Sequence, residues 1–145
     1  MVELRESEPN EVQKFVELES AEDASKYVIS YSADRHLDEM SKDHTLYLSI
    51  YNGRAFSGFI ILALDGTGSV EFRRIVVASK GKGIGQAAIN KVEEYCMTAL
   101  KRNRVWLDVF ESNLRGQHIY KKLGYKQFKI GEFSGRRLTY YEKML

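Results

Sequence analysis

Apolar and polar positions change their period several times along the chain, and each change marks an element. Val2 and Leu4 alternate with Glu3 and Arg5, a short strand over Val2–Glu6. Ser7, Glu8 and Pro9 read as a helix start with Ser7 as N-cap, and the helix reaches about Glu19. Residues 21–42 are expected to be helical in pieces, interrupted near Tyr27, Ile29 and Tyr31. Thr45–Tyr51 alternates as a strand, Asn52-Gly53 is a hairpin signal, and Ala55–Leu64 is the partner. Asp65-Gly66-Thr67-Gly68 turns the chain into a β-branched strand, Val70–Val77. Ile84, Ala88, Val92, Tyr95 or Cys96, and Ala99 then recur on one face of a helix over Ile84–Leu100. A strand at Val105–Phe110 and a short helix at Leu114–Lys122 follow. Tyr125–Phe133 and Leu138–Met144 close the chain as a hairpin around Ser134-Gly135.

This order is a mixed α/β arrangement, with helices covering a largely antiparallel sheet. Repeats, low-complexity tracts and linkers are absent, so residues 1–145 are expected to form a single domain. The longest apolar run, Phe59–Leu64, is too short to span a bilayer. The early glutamates Glu3, Glu6, Glu8 and Glu11 are unlike a signal peptide, so a cytoplasmic protein is expected, with no membrane partner. Cys96 is the only cysteine, which excludes an internal disulfide and a cysteine-based metal site; His36 and His44 lack ligand spacing, and no metal is expected.

The chemistry concentrates between the fourth strand of this series and the long helix. Ser79-Lys80-Gly81-Lys82-Gly83-Ile84-Gly85-Gln86 joins a strand to a helix start. Glycines let backbone N–H groups approach a ligand, and a helix N-terminus adds its positive dipole end, so the turn suits phosphate oxygens. No Walker P-loop spacing exists here. A dinucleotide fingerprint also fails, because its third glycine would fall on Gln86 or Ala88.

Lys80-Gly81-Lys82-Gly83-Ile84-Gly85 resembles the first signature of the GNAT superfamily of acyl-CoA-dependent N-acyltransferases, with lysine where arginine or glutamine is usual. The run from Asn113 through Gly116 and Tyr120 to Gly124-Tyr125 resembles its second signature. Here Gly116 replaces an alanine and Tyr125 a phenylalanine. The resemblance covers roughly residues 69–126. It implies a GNAT-like fold whose central sheet splays at the junction of its fourth and fifth strands, flanked by helices. It also implies an N-acetyltransferase that moves an acetyl group from acetyl-CoA to a primary amine.

A site follows from the resemblance. The pyrophosphate of acetyl-CoA is expected on the backbone from Lys80 through Gly81, Lys82, Gly83, Ile84 and Gly85 to Gln86. The pantetheine arm is expected to pair with Ile75, Val76 and Val77, and Asn113 to hydrogen-bond the pantetheine or diphosphate. Tyr120 matches the tyrosine that faces the thioester sulfur, and a phenol of pKa about 10 suits a proton donor there. Glu71 is the candidate general base, since one branch of the superfamily, the histone acetyltransferases, has a glutamate at this point; strand alternation puts it on one face with Arg73 and Ile75. Glu71 and Arg73 as a same-face ion pair, and Asn113 as a helix cap alone, are the plainer readings. His118 and Cys96 read as surface and core residues.

Charge adds one expectation. Residues 1–50 hold twelve acidic and five basic side chains, and residues 51–145 hold eight acidic and seventeen basic. The acidic part includes Glu19, Glu22, Asp23, Asp34, Asp38 and Glu39, where this superfamily builds its acceptor wall. An acceptor that is cationic before deprotonation, such as a small amine, polyamine or peptide amine, fits that split. A nucleic-acid partner does not fit the overall charge of +2. The protein is expected as a monomer or homodimer. A non-catalytic acyl-CoA-binding domain of the same fold is the alternative.

Overall fold

Runs rich in β-branched and aromatic residues, separated by turns and helices, give seven strands in a single sheet. A computed structural model describes residues 1–25, 27–78 and 82–145, without the side chains of Glu22 and Asp23. Strand β1 is Val2–Glu6, β2 Thr45–Asn52, β3 Ala55–Leu64, β4 Ser69–Val77, β5 Arg104–Phe110, β6 Lys126–Phe133 and β7 Arg136–Met144. Helices are α1 Val12–Ser20, α2 Glu22–Ser25, α3 Ala33–Met40, α4 Ile84–Thr98 and α5 Leu114–Lys122. The sheet order is β1-β2-β3-β4-β5-β7-β6, antiparallel throughout except for the parallel β4–β5 pair. Observed strands and long helices begin and end within a few residues of those expected from the sequence. Among the described residues no helix is long and apolar enough to cross a membrane.

One expected feature is displaced. Ser7 does not cap a helix; its hydroxyl bonds that of Ser49 at 2.7 Å. The chain enters a 3-10 turn, Pro9–Glu11, and Glu11 reaches back to the Glu8 N–H at 2.9 Å. That makes Glu8 the cap. Glu11 also accepts from Tyr51 at 2.6 Å and from Ser49 at 3.1 Å, which ties this turn to β2. A serine already engaged across the strand is not available to the helix.

Two apolar clusters lie on opposite faces of the sheet. On one face Ile84, Ala88, Ile89, Val92 and Cys96 of α4 meet Val70, Phe72, Val105 and Leu107, with Ile119 of α5 and Leu123 just after it alongside. On the other, Val12 and Phe15 of α1 and Ala24 meet Tyr47, Phe59, Ile61 and Val76. Burying each large side chain contributes about 1.5–3 kcal/mol. Burial pushes the Cys96 thiol up to about 11, so it is a small apolar core residue. Gly58 allows β3 to run tightly beside β4, because a Cβ there would lie 2.2 Å from the Val76 carbonyl oxygen.

Behind the second cluster lies a buried polar network. Glu19 is fully buried. Its carboxylate is ion-paired with Arg74, sits 2.7 Å from His36 Nε2, and accepts from the Tyr31 N–H at 3.1 Å. His36 Nδ1 lies 2.7 Å from the Tyr47 hydroxyl, whose pKa burial raises well above the ordinary phenol value. The network fastens α1, α3, β2, β4 and the 27–32 segment together.

Replacing Glu19 with Gln is expected to destabilise the protein by about 3–5 kcal/mol, because the Arg74 charge stays buried without its partner. Urea unfolding measures this. Asp38→Asn, on the exposed side of α3, is expected to leave the midpoint nearly unchanged.

Candidate active site

Strand β4 pairs with β3 along its length but with β5 over only three positions, Ser69–Arg104, Val70–Val105 and Glu71–Trp106. Beyond Glu71 the two strands separate. One backbone edge of β4, from Phe72 to Val77, therefore has no strand beside it. The opening is a cleft of ≈ 540 Å³ between β4, β5, α4, α5 and the 27–31 segment.

Of the residues expected at the site, the cleft brings together Glu71, Ile75, Val76, Val77, Gly83, Ile84, Gly85, Gln86, Asn113 and Tyr120. Lys82 is exposed and is not on its wall. Ser79, Lys80 and Gly81 lie outside the described residues. Gly83 is the N-cap of α4 at φ 76°, a backbone shape that favours glycine, and it brings no capping side chain of its own. Among the described residues no side chain accepts from the first N–H groups of α4, which border the cleft, an arrangement suited to an anion. Asn113 caps α5 by accepting from the Gly116 N–H at 2.9 Å.

Alternation along β4 is not what the sequence suggests. Phe72 pairs with Leu62 and Arg74 with Ile61, so Arg73 is an extra, bulged residue. Val70, Phe72, Ile75 and Val77 pack on the α4 side, whereas Val76 packs on the α1 side. Glu71 therefore does not share a face with Ile75; the bulge between them shifts the alternation by one. Glu71 does pair with Arg73, at 3.2 Å, and Arg73 also reaches Glu39 at 3.9 Å.

The acidic wall is also placed differently. Glu19 is consumed by the buried network, and Glu39 by Lys42 at 2.9 Å. Neither these nor Asp34 and Asp38 line the cleft; the side chains of Glu22 and Asp23 lie outside the described residues. An amphipathic α3 turns His36 inward and most of its charges outward, which sequence counts cannot distinguish from a lining.

The carboxylates that do face the cleft are Glu71 and Asp108. Asp108 has no hydrogen bond or ion pair among the described residues. Solvent reaches it through the cleft, yet protein surrounds it on most sides. That crowding, then the nearby Glu71 carboxylate, raises its pKa above the usual aspartate value, against a smaller lowering by Arg73. Tyr120 sits across the cleft; desolvation, and secondarily Asp108, hold its phenol strongly protonated. Its hydroxyl has no hydrogen-bond partner among the described residues, and its ring packs edge-on against Tyr125 at 5.7 Å. Tyr125 in turn bonds Glu93 at 2.9 Å, and Lys143 bonds Glu93 at 2.9 Å, which fixes the end of α5 to α4 and β7.

The family model described as the acetyltransferase (GNAT) family matches residues 12–125. The chain belongs to that family. Two solved structures have similar folds. One is spermidine N-acetyltransferase from Vibrio cholerae in complex with CoA and spermine, 19% identical, matched over 99% of this chain and 95% of that one, with a TM-score of 0.86. The other is a dodecameric structure of spermidine N-acetyltransferase from Vibrio cholerae in an intermediate state, 19% identical, covering 99% and 93%, with a TM-score of 0.81.

Within this GNAT chain, Asp108 is the site residue that motif reading misses. Its signal was present: a lone carboxylate at the outward position of Trp106-Leu107-Asp108-Val109-Phe110, just ahead of the second signature. Tyr31 was also missed as a cleft residue; Arg35 and Arg74 stack on its ring at 3.9 and 4.1 Å and hold it against the cleft.

The raised pKa of Asp108 has a consequence for stability. The folded state binds this proton more tightly than the unfolded chain does. Stability is therefore lost as pH rises from the unfolded aspartate pKa through the folded one. Asp108→Asn is expected to raise Tm at neutral pH, and to leave it unchanged in acid where the wild-type carboxyl is protonated in both states. Calorimetry at the two pH values checks this; a loss of Tm at neutral pH would contradict it.

Proposed function

We propose that this GNAT protein transfers the acetyl group of acetyl-CoA to a primary amine that arrives as a cation. The observation that carries the reading is the cleft itself. It joins the glycine-capped N-terminus of α4, an edge of β4 not paired with β5, a protonated Tyr120 and an Asp108 without a partner among the described residues in a single space. These residues fit acetyl-CoA. The first N–H groups of α4, from Ile84 to Gln86, would hold the diphosphate, and the open backbone from Ile75 to Val77 would hydrogen-bond the pantetheine amides. Asn113, while capping α5, keeps its amide N–H₂ for the same arm. Acetyl-CoA supplies an activated thioester.

The chain's own residues do the rest. The acceptor ammonium is drawn to Asp108 and Glu71. Because Glu71 is paired with Arg73, Asp108 is the carboxylate left to take the ammonium proton, and its raised pKa makes it a better base than an ordinary aspartate. Glu71 acts beside it, holding the amine and raising the proton affinity of Asp108. Main-chain N–H groups along β4 donate to the carbonyl oxygen as it gains charge. The freed amine attacks the thioester carbonyl carbon, the C–S bond breaks, and Tyr120 hands its phenolic proton to the departing sulfur; the strongly basic phenolate then takes back the proton that the new amide nitrogen sheds. A similar fold solved with CoA and spermine bound supports a cofactor and acceptor of these kinds.

Acetyl-CoA and CoA are expected to raise Tm, by about 2.7 kcal/mol of stabilisation at a hundredfold excess over Kd, and ATP much less. Gly85→Val is expected to abolish that shift while the fold survives, since a Cβ at Gly85 meets nothing closer than Val77 at 3.7 Å. Tyr120→Phe is expected to lower kcat by about 10- to 10³-fold with little change in acetyl-CoA affinity. Thiol release across a panel of amines decides the activity. A Tm shift without thiol release from any amine would leave an acyl-CoA-binding domain instead.

A further inference from the structure

Each carboxylate at the cleft has an aromatic residue as its cross-strand partner. Trp106 lies opposite Glu71, and Tyr140 lies opposite Asp108. The two rings stack 6.2 Å apart, and Phe128 packs edge-on to Tyr140 at 6.1 Å. These residues lie outside the cleft lining, on a face of β5, β7 and β6 that solvent reaches: Trp106 and Tyr140 are half-buried and Phe128 is 40% exposed. Helices α4 and α5 pack against the opposite face. Glu142, opposite Trp106 on β7, is already paired with Arg104 at 2.8 Å.

We propose that Trp106 and Tyr140 form a platform for a second ammonium group of the acceptor, which is therefore a linear diamine or polyamine with its reacting end at Asp108. The proposal rests on the amine-acetylating reading above. Ring faces attract cations through their quadrupole, most strongly for tryptophan, and the fields of Glu71 and Asp108 add to that attraction. The molecule already shows the contact, because the Lys129 ammonium rests 4.9 Å from the centre of the Tyr140 ring. Directly opposed cross-strand residues are about 5 Å apart, within the reach of a short alkyl diamine. Asp108, without a partner of its own, takes one end, and the rings take the other. The Tyr140 phenol registers this proximity, its pKa raised by partial desolvation and then by Asp108 and Glu71.

Trp106 is the only tryptophan in the chain, so its fluorescence reports on the platform directly, without acetyl-CoA. The probes are 1,4-diaminobutane and butylamine, titrated into the full chain. Saturable quenching is expected with the diamine, at an affinity about 3- to 30-fold above that of butylamine. Tyr140→Leu is expected to remove that advantage and Tyr140→Phe to keep it, so a loss of fold in the first is separated from a loss of the ring. Lys129→Ala, which clears the Tyr140 ring, is expected to tighten diamine binding. Equal affinity for the two amines, or an unchanged diamine affinity in Tyr140→Leu, overturns the proposal. So does a change of mass in sedimentation for Tyr140→Leu with diamine affinity intact, which would make this face a contact between copies of the chain. Failure of thiol release with every amine would sink the acetylation reading separately, since the titration does not depend on it.

Discussion

Parallel pairing between β4 and β5 lasts for three residue pairs, and the cleft is the space left where it stops. Just after the last pair, the extra residue Arg73 bends β4 and resets which of its side chains face which layer. Had pairing continued, the backbone from Phe72 to Val77 would be hydrogen-bonded to β5 and closed to any ligand. Because it does not, a gap runs through the sheet from the α4–α5 layer to the α1–α3 side. Tyr120 comes to this gap from α5, on one layer, and Glu71 from the opposite face. Two substrates held on opposite sides of a sheet can meet only at such a gap.

A polar network keeps the gap's outer wall in place. Glu19, buried without exposure, is useless as a surface attractant but ties together five segments through Arg74, His36, Tyr47 and Tyr31. Arg74 does double duty here, since it neutralises Glu19 and stacks on Tyr31 at the cleft. A buried charge set of this kind contributes little net stability against an apolar equivalent, but removing one member is costly. It therefore acts mainly to specify one geometry for the 27–32 segment. The cleft carboxylate left without a hydrogen-bond or ion-pair partner among the described residues is Asp108.

Much of the fold was legible from residue pattern alone. Alternation, β-branched content and turn signals placed all seven strands, the 3.6-residue period placed α4, and Asn52-Gly53 and Ser134-Gly135 marked two hairpins. The glycine turn and the Asn113-to-Tyr125 run located most of the candidate site, because tight backbone approach and a helix N-terminus leave local signatures in residue type. Ser7 was misread because its hydroxyl is committed to Ser49, forty-two positions away. Such a commitment leaves no local trace.

The sequence by itself thus determined the elements, the family and the turn at the start of α4, since each depends on neighbours within one strand or one helical turn. Tertiary structure alone decided which charges face the cleft. Counting acids over residues 1–50 put Glu19 and Glu39 in a wall; folding put the first in the core and gave the second to Lys42. It likewise moved Glu71 and Ile75 to opposite faces through a single bulged residue, set by pairing with β3 rather than by anything within β4. Asp108 acquired its raised pKa the same way, from partial desolvation by the protein crowded around it and from Glu71 on another strand. Electrostatic roles arise from distances between segments remote in the chain, and those distances exist only once the sheet has formed.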